Sequence, residues 1–139
     1  MKTTDGTLDL VIHQGKTFRR RLVWAEGYTE SAGIVTPVNP LSLEGREARA
    51  QFRIGTRNGE VALSLTSSPA DGIYLERPDL GELPGDVVGR IDIEVSAVRM
   101  AELERGGFYD IELYDPLDPA EVSGLIVPSK YFINREVTR

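Results

Sequence analysis

Apolar and polar residues alternate along most of this chain with a period of two, and this alternation constrains the fold more than any other feature. Successive side chains of a β-strand point to opposite faces, so a period of two predicts strands that bury one face. The clearest example is the segment 48–54, in which the residues predicted to face the core are Ala48, Ala50, Phe52 and Ile54.

Similar segments recur at regular spacing with turn residues between them, which is typical of an all-β domain. The segments predicted as strands are 8–13, 18–24, 48–54, 61–65, 73–75, 87–95, 108–113 and 120–137, the last being either two strands or one strand bent at Pro128. Ser96 is predicted to cap one short helix that runs to Leu103. We therefore expect a single domain over residues 1–139: an antiparallel β-sandwich, Ig-like or jelly-roll-like, of about eight strands. A squat barrel is the alternative.

The segment 26–45 breaks the alternation because it is rich in Gly, Pro, Ser, Thr and Asn. This composition predicts a long loop or arm within the domain. Loops of this length are uncommon in compact domains and are often functional. Its apolar residues Ile34, Val35 and Val38 are therefore predicted to contact the body of the protein or a partner.

The sequence offers little chemistry for catalysis. It contains no cysteine and a single histidine, His13, and it has neither a nucleotide-binding glycine motif nor a nucleophile elbow. An enzyme needs a reactive group with an orienting partner. We therefore predict a protein that is not an enzyme, with no catalytic residue, no cofactor and no metal ligand.

Four carboxylates, Asp110, Glu112, Asp115 and Asp118, lie close together in sequence. Oxygen ligands of this kind bind calcium, but the spacing does not match a known calcium loop. A solvated strand face is the favoured interpretation, and calcium binding is left open.

The net charge of −6 opposes nucleic-acid binding, which needs a strongly basic surface. No apolar run approaches the roughly 18 residues of a membrane span. One basic cluster, Lys16 with Arg19, Arg20 and Arg21, stands against the acidic background. It is either a solvated strand edge or, through Arg19 and Arg21, a docking patch for an acidic partner.

Aromatic residues suggest further contact surfaces. Trp24 ends an apolar strand face and is predicted to be buried, whereas Phe108 and Phe132 fall on faces predicted to point outward. Exposed aromatic residues on a β-face favour a protein interface. Tyr28 is a further interface candidate, and Tyr28, Tyr74 and Phe108 would be the sugar-stacking residues if the chain were a carbohydrate-binding module.

The order of several short motifs resembles that of small β-sandwich proteins encoded among the tail and neck genes of tailed bacteriophages and prophages. The motifs are Gln14-Gly15-x-Thr17-Phe18, Trp24, Pro40-Leu41-x-Leu43-x-Gly45, Ala48-Arg49-x-Gln51, Gly72-Ile73, Gly89-x-Ile91-x-Ile93, Tyr109-Asp110-x-Glu112-Leu113 and Glu136 to Arg139. The resemblance covers nearly the whole chain, with a longer segment at 26–40 and Pro128-Ser129 in place of an expected glycine.

The resemblance implies a structural component of the virion, made in the bacterial host cytoplasm and placed as an adaptor or connector in the tail or neck. It implies other virion proteins of the neck, tail or fibre as partners, and a homo-oligomer or ring in the assembled particle. It implies neither a nucleic-acid partner nor a membrane. A capsid-surface or tail-tube component is the alternative within the same class.

Overall fold

The computed structural model describes residues 8–134, which form eleven strands, one short α-helix and one 3₁₀ turn at Pro84–Val87. The strands are β1 (Leu10–His13), β2 (Phe18–Val23), β3 (Ala25–Ser31), β4 (Ile34–Pro40), β5 (Glu47–Ile54), β6 (Val61–Ser67), β7 (Ala70–Asp71), β8 (Ile73–Leu75), β9 (Arg90–Val95), β10 (Gly107–Asp115) and β11 (Asp118–Asn134). The helix α1 spans Ala97–Met100.

Two sheets pack face to face around one apolar core. The six-stranded sheet has the order β1-β11-β10-β5-β6-β7, and the three-stranded sheet has the order β2-β9-β8. Both sheets contribute alternate residues to the same buried cluster. The all-β sandwich with one short helix is thus confirmed. The strands beyond the predicted set are β3, β4 and β7.

Stacked aromatic rings form the centre of the core on the six-stranded sheet. The ring of Phe52 stacks on Tyr109 at a centroid distance of 5.2 Å and meets Tyr131 edge-on at 5.4 Å. Offset and edge-on arrangements are the favoured geometries for aromatic pairs. The buried hydroxyl of Tyr131 donates to the carbonyl of Arg53 at 3.0 Å, and that of Tyr109 donates to the carbonyl of Leu8.

The predicted helix is shorter than expected. Its N-cap is Ser96, whose hydroxyl accepts a hydrogen bond from the amide of Arg99, as predicted. The helix ends at Met100, and the following residues to Leu103 form a turn that buries the Leu103 side chain.

One strand pair departs from the antiparallel expectation. β1 pairs with β11 in parallel, with Leu10 opposite Tyr131. The last strand is continuous, but its register against β10 shifts where Ser129 and Ile126 face Tyr109 and Ile111. The bend predicted near Pro128 therefore lies at a β-bulge, where the missing amide of a proline is tolerated.

The long loop predicted over 26–45 is wrong, because most of this segment forms the β3–β4 hairpin. Ala32 and Gly33 connect the two strands, with φ of 52° and 80°. Two positive φ values in a two-residue connection define the turn type whose twist matches that of paired strands. The sequence prediction missed the hairpin because an alanine occupies a position that usually carries Asn, Asp or Gly.

Arg90 and Asp92 lie on the outer face of β9 but are not exposed there. Both residues are buried, with 8% and 5% of their surfaces exposed. Ion pairs with neighbouring side chains compensate their desolvation. In addition, the strand begins at Arg90, since the preceding segment forms the 3₁₀ turn.

Candidate interaction surfaces

The outer side of the three-stranded sheet carries a network of ion pairs, here called the charged face. Its members are Arg19, Arg21, Arg77, Arg90, Asp79, Glu82, Asp92 and Glu94. The strands β2 and β9 pair so that Arg19 lies opposite Glu94 and Arg21 opposite Asp92. Directly opposed charges of opposite sign stabilise a strand pair.

Asp92 lies at the centre of the charged face, with only 7% of its side chain exposed. Its carboxylate accepts hydrogen bonds from Arg21 Nε at 2.7 Å and Nη2 at 3.3 Å, and Arg77 Nη2 lies 4.0 Å away. Two nearly parallel bonds from one guanidinium are the strong geometry for such a pair. The hydrogen bond to Asp92 is the largest cause that raises the pKa of Arg21.

A second pair extends the network towards the loop after β8. Arg90 Nη1 and Nη2 donate to the Glu82 carboxylate at 2.6 and 3.1 Å, and these bonds lower the pKa of Glu82. Arg21 Nη2 also donates to Asp79, at 3.0 Å. The carboxylates of this loop therefore neutralise the guanidinium groups of the strands.

The pairing changes the interpretation of Arg19 and Arg21 as a docking patch for an acidic partner. Their guanidinium groups bind Glu94 and Asp92, and the charged face contains as many carboxylates as arginines. No excess positive charge remains there to attract an acidic protein. The alternation of positive charge on β2 and negative charge on β9 was the sequence signal for this network.

Arg20 points to the opposite side of β2 and lines a different surface, here called the basic groove. The groove lies between the strands β1 and β2 and has a volume of about 370 Å³. Its lining residues are Asp9, Leu10, Val11, His13, Lys16, Thr17, Phe18, Arg19 and Arg20. Arg20 is exposed and forms no ion pair with any residue in 8–134.

The β3–β4 hairpin displays most of the interface candidates from the former loop. Ile34 and Val38 are 68% and 46% exposed. Tyr28 is half-buried, and its hydroxyl donates to the carbonyl of Val23 at the base of the hairpin. The side chain of Val35 lies outside the described part of the structure, so its predicted contact role stays a prediction.

The outer side of the six-stranded sheet carries the two remaining candidates. Phe132 is 49% exposed and lies beside the exposed Val11 on the neighbouring strand. Phe108 is partly buried, and the guanidinium carbon of Arg57 lies 5.4 Å from the centre of its ring. Both phenylalanines therefore lie on the outward face, as expected.

The three aromatic residues considered for sugar stacking do not form one platform. Tyr28 lies in the hairpin, Tyr74 in the three-stranded sheet and Phe108 in the six-stranded sheet. The guanidinium of Arg77 also covers the ring of Tyr74 at 4.0 Å. A sugar needs adjacent exposed rings, so this set does not favour carbohydrate binding.

The acidic cluster of β10 is divided between different contacts. Arg49 lies 3.6 Å from Glu112, and Asp115 accepts the amide of Leu117 at 2.9 Å. Burial and the neighbouring Glu112 raise the pKa of Asp110. Across the described part of the chain, no three His, Cys, Asp or Glu side chains are close enough to hold a metal ion.

No protein-family model matches the sequence, and no curated protein matches it. Among solved structures, the chain is similar to one described in a study of multimeric cell-adhesive interactions of VGSC beta subunits. The two share 11% sequence identity and a TM-score of 0.40, over 94% of this chain and 92% of the other. Within residues 8–134, no helix has the length and apolar character needed to cross a membrane.

Proposed function

We propose that this chain is a non-enzymatic structural protein of a tailed-phage virion, an adaptor or connector that binds neighbouring virion proteins and further copies of itself. The order of its sequence motifs supports the virion assignment. The exposed β3–β4 hairpin is the observation that carries the binding role.

The hairpin is built in a way that favours a contact arm. It pairs with no other strand of the described residues, yet it exposes the apolar side chains of Ile34 and Val38. A two-stranded hairpin is marginally stable alone, and this one is held at its base. The amide of Leu41 donates to the carbonyl of Trp24 at 2.9 Å, and the Trp24 amide donates to Gly89 at 2.7 Å.

An adaptor role also agrees with how the charged side chains are used. The guanidinium groups of the charged face bind carboxylates of the same face, so these arginines stabilise the fold. The exposed His13 lines the basic groove, with its Nδ1 3.1 Å from Asn134 Nδ2. The ion pairs of the charged face therefore support a role in stability, and the groove supports a role in binding.

The test is to remove the hairpin from the gene in the phage or prophage that encodes the chain. Ala25 and Pro40 are direct cross-strand partners, so an Asn-Gly turn can join them in place of residues 26–39. We expect the shortened protein to fold and to be absent from purified particles, and infectivity to fall. Its urea unfolding curve provides the folding control.

Quantitative mass spectrometry of wild-type particles tests the virion assignment itself. A symmetric joint of the neck or tail needs from a few to about a dozen copies of the chain. Hundreds of copies would instead support the tail-tube or capsid-surface alternative. Complete absence from purified particles would overturn the proposal.

A further inference from the structure

We propose that copies of this chain associate head to tail, with the β3–β4 hairpin of one copy seated in the basic groove of the next. The inference deepens the proposed function, and rests on it only for its setting in the virion. The inference rests on two different surfaces of the same chain, the hairpin and the basic groove. They complement each other in charge and in apolar character.

The hairpin supplies an acidic arm. Glu26 and Glu30 are the only charged residues between Ala25 and Pro40. Both are exposed; Glu26 accepts a hydrogen bond from Asn39 at 3.0 Å, and Glu30 forms no ion pair with a described residue. The hairpin therefore carries two negative charges that no cation within 8–134 balances.

Strand addition is more favourable along the edge of β3 than along the edge of β4. In a hairpin with a two-residue turn, the residues flanking the turn are hydrogen-bonded to each other, and the alternate positions point their backbone groups outward. The outward positions are Glu26, Tyr28 and Glu30 on β3, and Pro37 is outward on β4. Pro37 lacks an amide hydrogen, so β4 is the poorer edge.

The basic groove has the opposite charge. Lys16, Arg19 and Arg20 line it together with a single carboxylate, that of Asp9. Arg19 also binds Glu94, so Arg20 supplies the cation that no described carboxylate binds. This local excess occurs on a chain whose net charge is −6, which makes an acidic segment of the same protein a fitting occupant.

Apolar and backbone groups complete the match. The two faces of the hairpin meet different walls of the groove: Ile34 and Val38 share the face opposite to Glu26 and Glu30. Val11 on β1, which is 53% exposed at the groove, gives them an apolar surface to cover. β1 and β2 are the edge strands of their sheets, and each pairs on one side only within the described residues. An open strand edge pairs readily with an added strand.

Because hairpin and groove are different surfaces, the contact is heterologous. Repeated contacts of this kind close into a ring or continue as a filament. The hairpin and the groove of each copy are then both occupied, except at the ends of an open chain.

The experiment is analytical ultracentrifugation of the full chain over a concentration series, with charge-reversal variants. We expect Glu26→Lys/Glu30→Lys and Arg20→Glu each to weaken self-association at least tenfold, and an equimolar mixture of the two to re-associate. In the mixture, the reversed hairpin of one variant meets the reversed groove of the other, so opposite charges face each other again. Glu102→Lys, an exposed reversal remote in sequence from both surfaces, should leave association unchanged.

Three outcomes would overturn the inference: a wild-type chain that stays monomeric up to about 0.5 mM, an Arg20→Glu variant that associates like wild type, or a mixture that stays monomeric. Circular dichroism and urea unfolding confirm that each variant is folded. If the wild-type chain associates as expected but is absent from virions, the proposed function is overturned and this inference stands. A monomeric wild type found in virions would overturn this inference and the self-association in the proposed function, and would leave the virion assignment standing.

Discussion

The charged face and the β3–β4 hairpin both carry charged side chains, but they use their charges differently. On the charged face, Arg21 and Asp92 bind each other at 2.7 Å. On the hairpin, Glu30 has no ion-pair partner among residues 8–134. The first arrangement stabilises the fold, whereas the second leaves charge available for another molecule.

The difference follows from strand alternation more than from local composition. Arg19, Arg20 and Arg21 form one basic run in the sequence, but their side chains alternate across β2. Arg19 and Arg21 form ion pairs in the charged face, whereas Arg20 lies on the other side of β2 and forms none with a described residue; Arg19 and Arg20 both line the basic groove. A run of like charges is therefore best divided by strand face before it is assigned to structure or to binding.

The largest effect is expected from Asp92→Ala on the charged face. The substitution leaves the Arg21 guanidinium without its buried partner, and hydrogen bonds to charged groups contribute about 1.5–3 kcal/mol each. Because Arg21 is 44% exposed, water compensates part of the loss, and we expect about 2–3 kcal/mol less stability.

Urea unfolding measures this change. Glu94→Ala is the control: its pair with Arg19 is exposed, and such pairs contribute at most about 1 kcal/mol. If Asp92→Ala cost no more than Glu94→Ala, the charged face would not be a stabilising network.

Gly89→Ala should destabilise the base of the hairpin by about 2 kcal/mol. Gly89 has a φ of 78°, and an added Cβ would lie 2.4 Å from the carbonyl oxygen of Trp24 and 3.0 Å from that of Leu41. Backbone atoms cannot move aside easily, and a left-handed conformation costs a non-glycine residue about 1–3 kcal/mol. Thermal unfolding measures the effect.

Gly85→Ala is the matched control, since a Cβ there meets nothing within 4 Å. A change at Gly89 no greater than that at Gly85 would show that the hairpin base is not fixed at this glycine.

Asp110→Asn should stabilise the protein by about 0.5 kcal/mol at pH 7, a change typical of partly exposed sites. Burial and Glu112 raise the pKa of Asp110, so the folded protein binds this proton more tightly than the unfolded chain does. Ionisation of Asp110 therefore lowers stability at neutral pH, and this cost disappears as the pH falls through the raised pKa.

Urea midpoints at pH 7 and pH 3 check the prediction, with the advantage of the variant expected only at pH 7. Glu82 is the opposite case: Arg90 lowers its pKa, so its contribution is present above the usual pKa and is lost as the pH falls through the lowered one. A gain at pH 3 equal to that at pH 7 would contradict the assignment of the effect to ionisation.

The smallest change in stability is expected from Ile34→Ser/Val38→Ser on the hairpin. Both side chains are largely exposed, so the free energy of unfolding should stay within about 0.5 kcal/mol of wild type. Self-association should nevertheless weaken, as sedimentation would show. Leu117→Ser removes a side chain that is 93% exposed elsewhere and should alter neither property. Loss of stability in the hairpin variant would mean that the hairpin belongs to the folded core.

The sequence predicted the sandwich where one strand face is apolar. Ala48, Ala50 and Phe52 are buried as expected, and so are Ile91 and Ile93. Alternation suffices there because burial of apolar surface determines which face points inward.

The sequence prediction failed where other forces decide. Asp92 is buried through an ion pair whose partner lies 71 residues away, and no local pattern contains that contact. The hairpin depends on a left-handed alanine, which propensity disfavours. The basic groove lies between the edge strands of two sheets, which come together only in the folded sandwich, so no local sequence pattern contains it.

The parallel pairing of β1 with β11 has a consequence for the order of folding. The amide of Leu8 donates to Ser129 Oγ across 121 residues of sequence, among the most distant contacts in the described structure. Closing so large a loop is slow, and domains dominated by such contacts fold in milliseconds to seconds. During synthesis β1 leaves the ribosome long before its partner exists. One wall of the basic groove is thus completed only after β11 has been made, which delays capture of a neighbouring hairpin until the sandwich is whole.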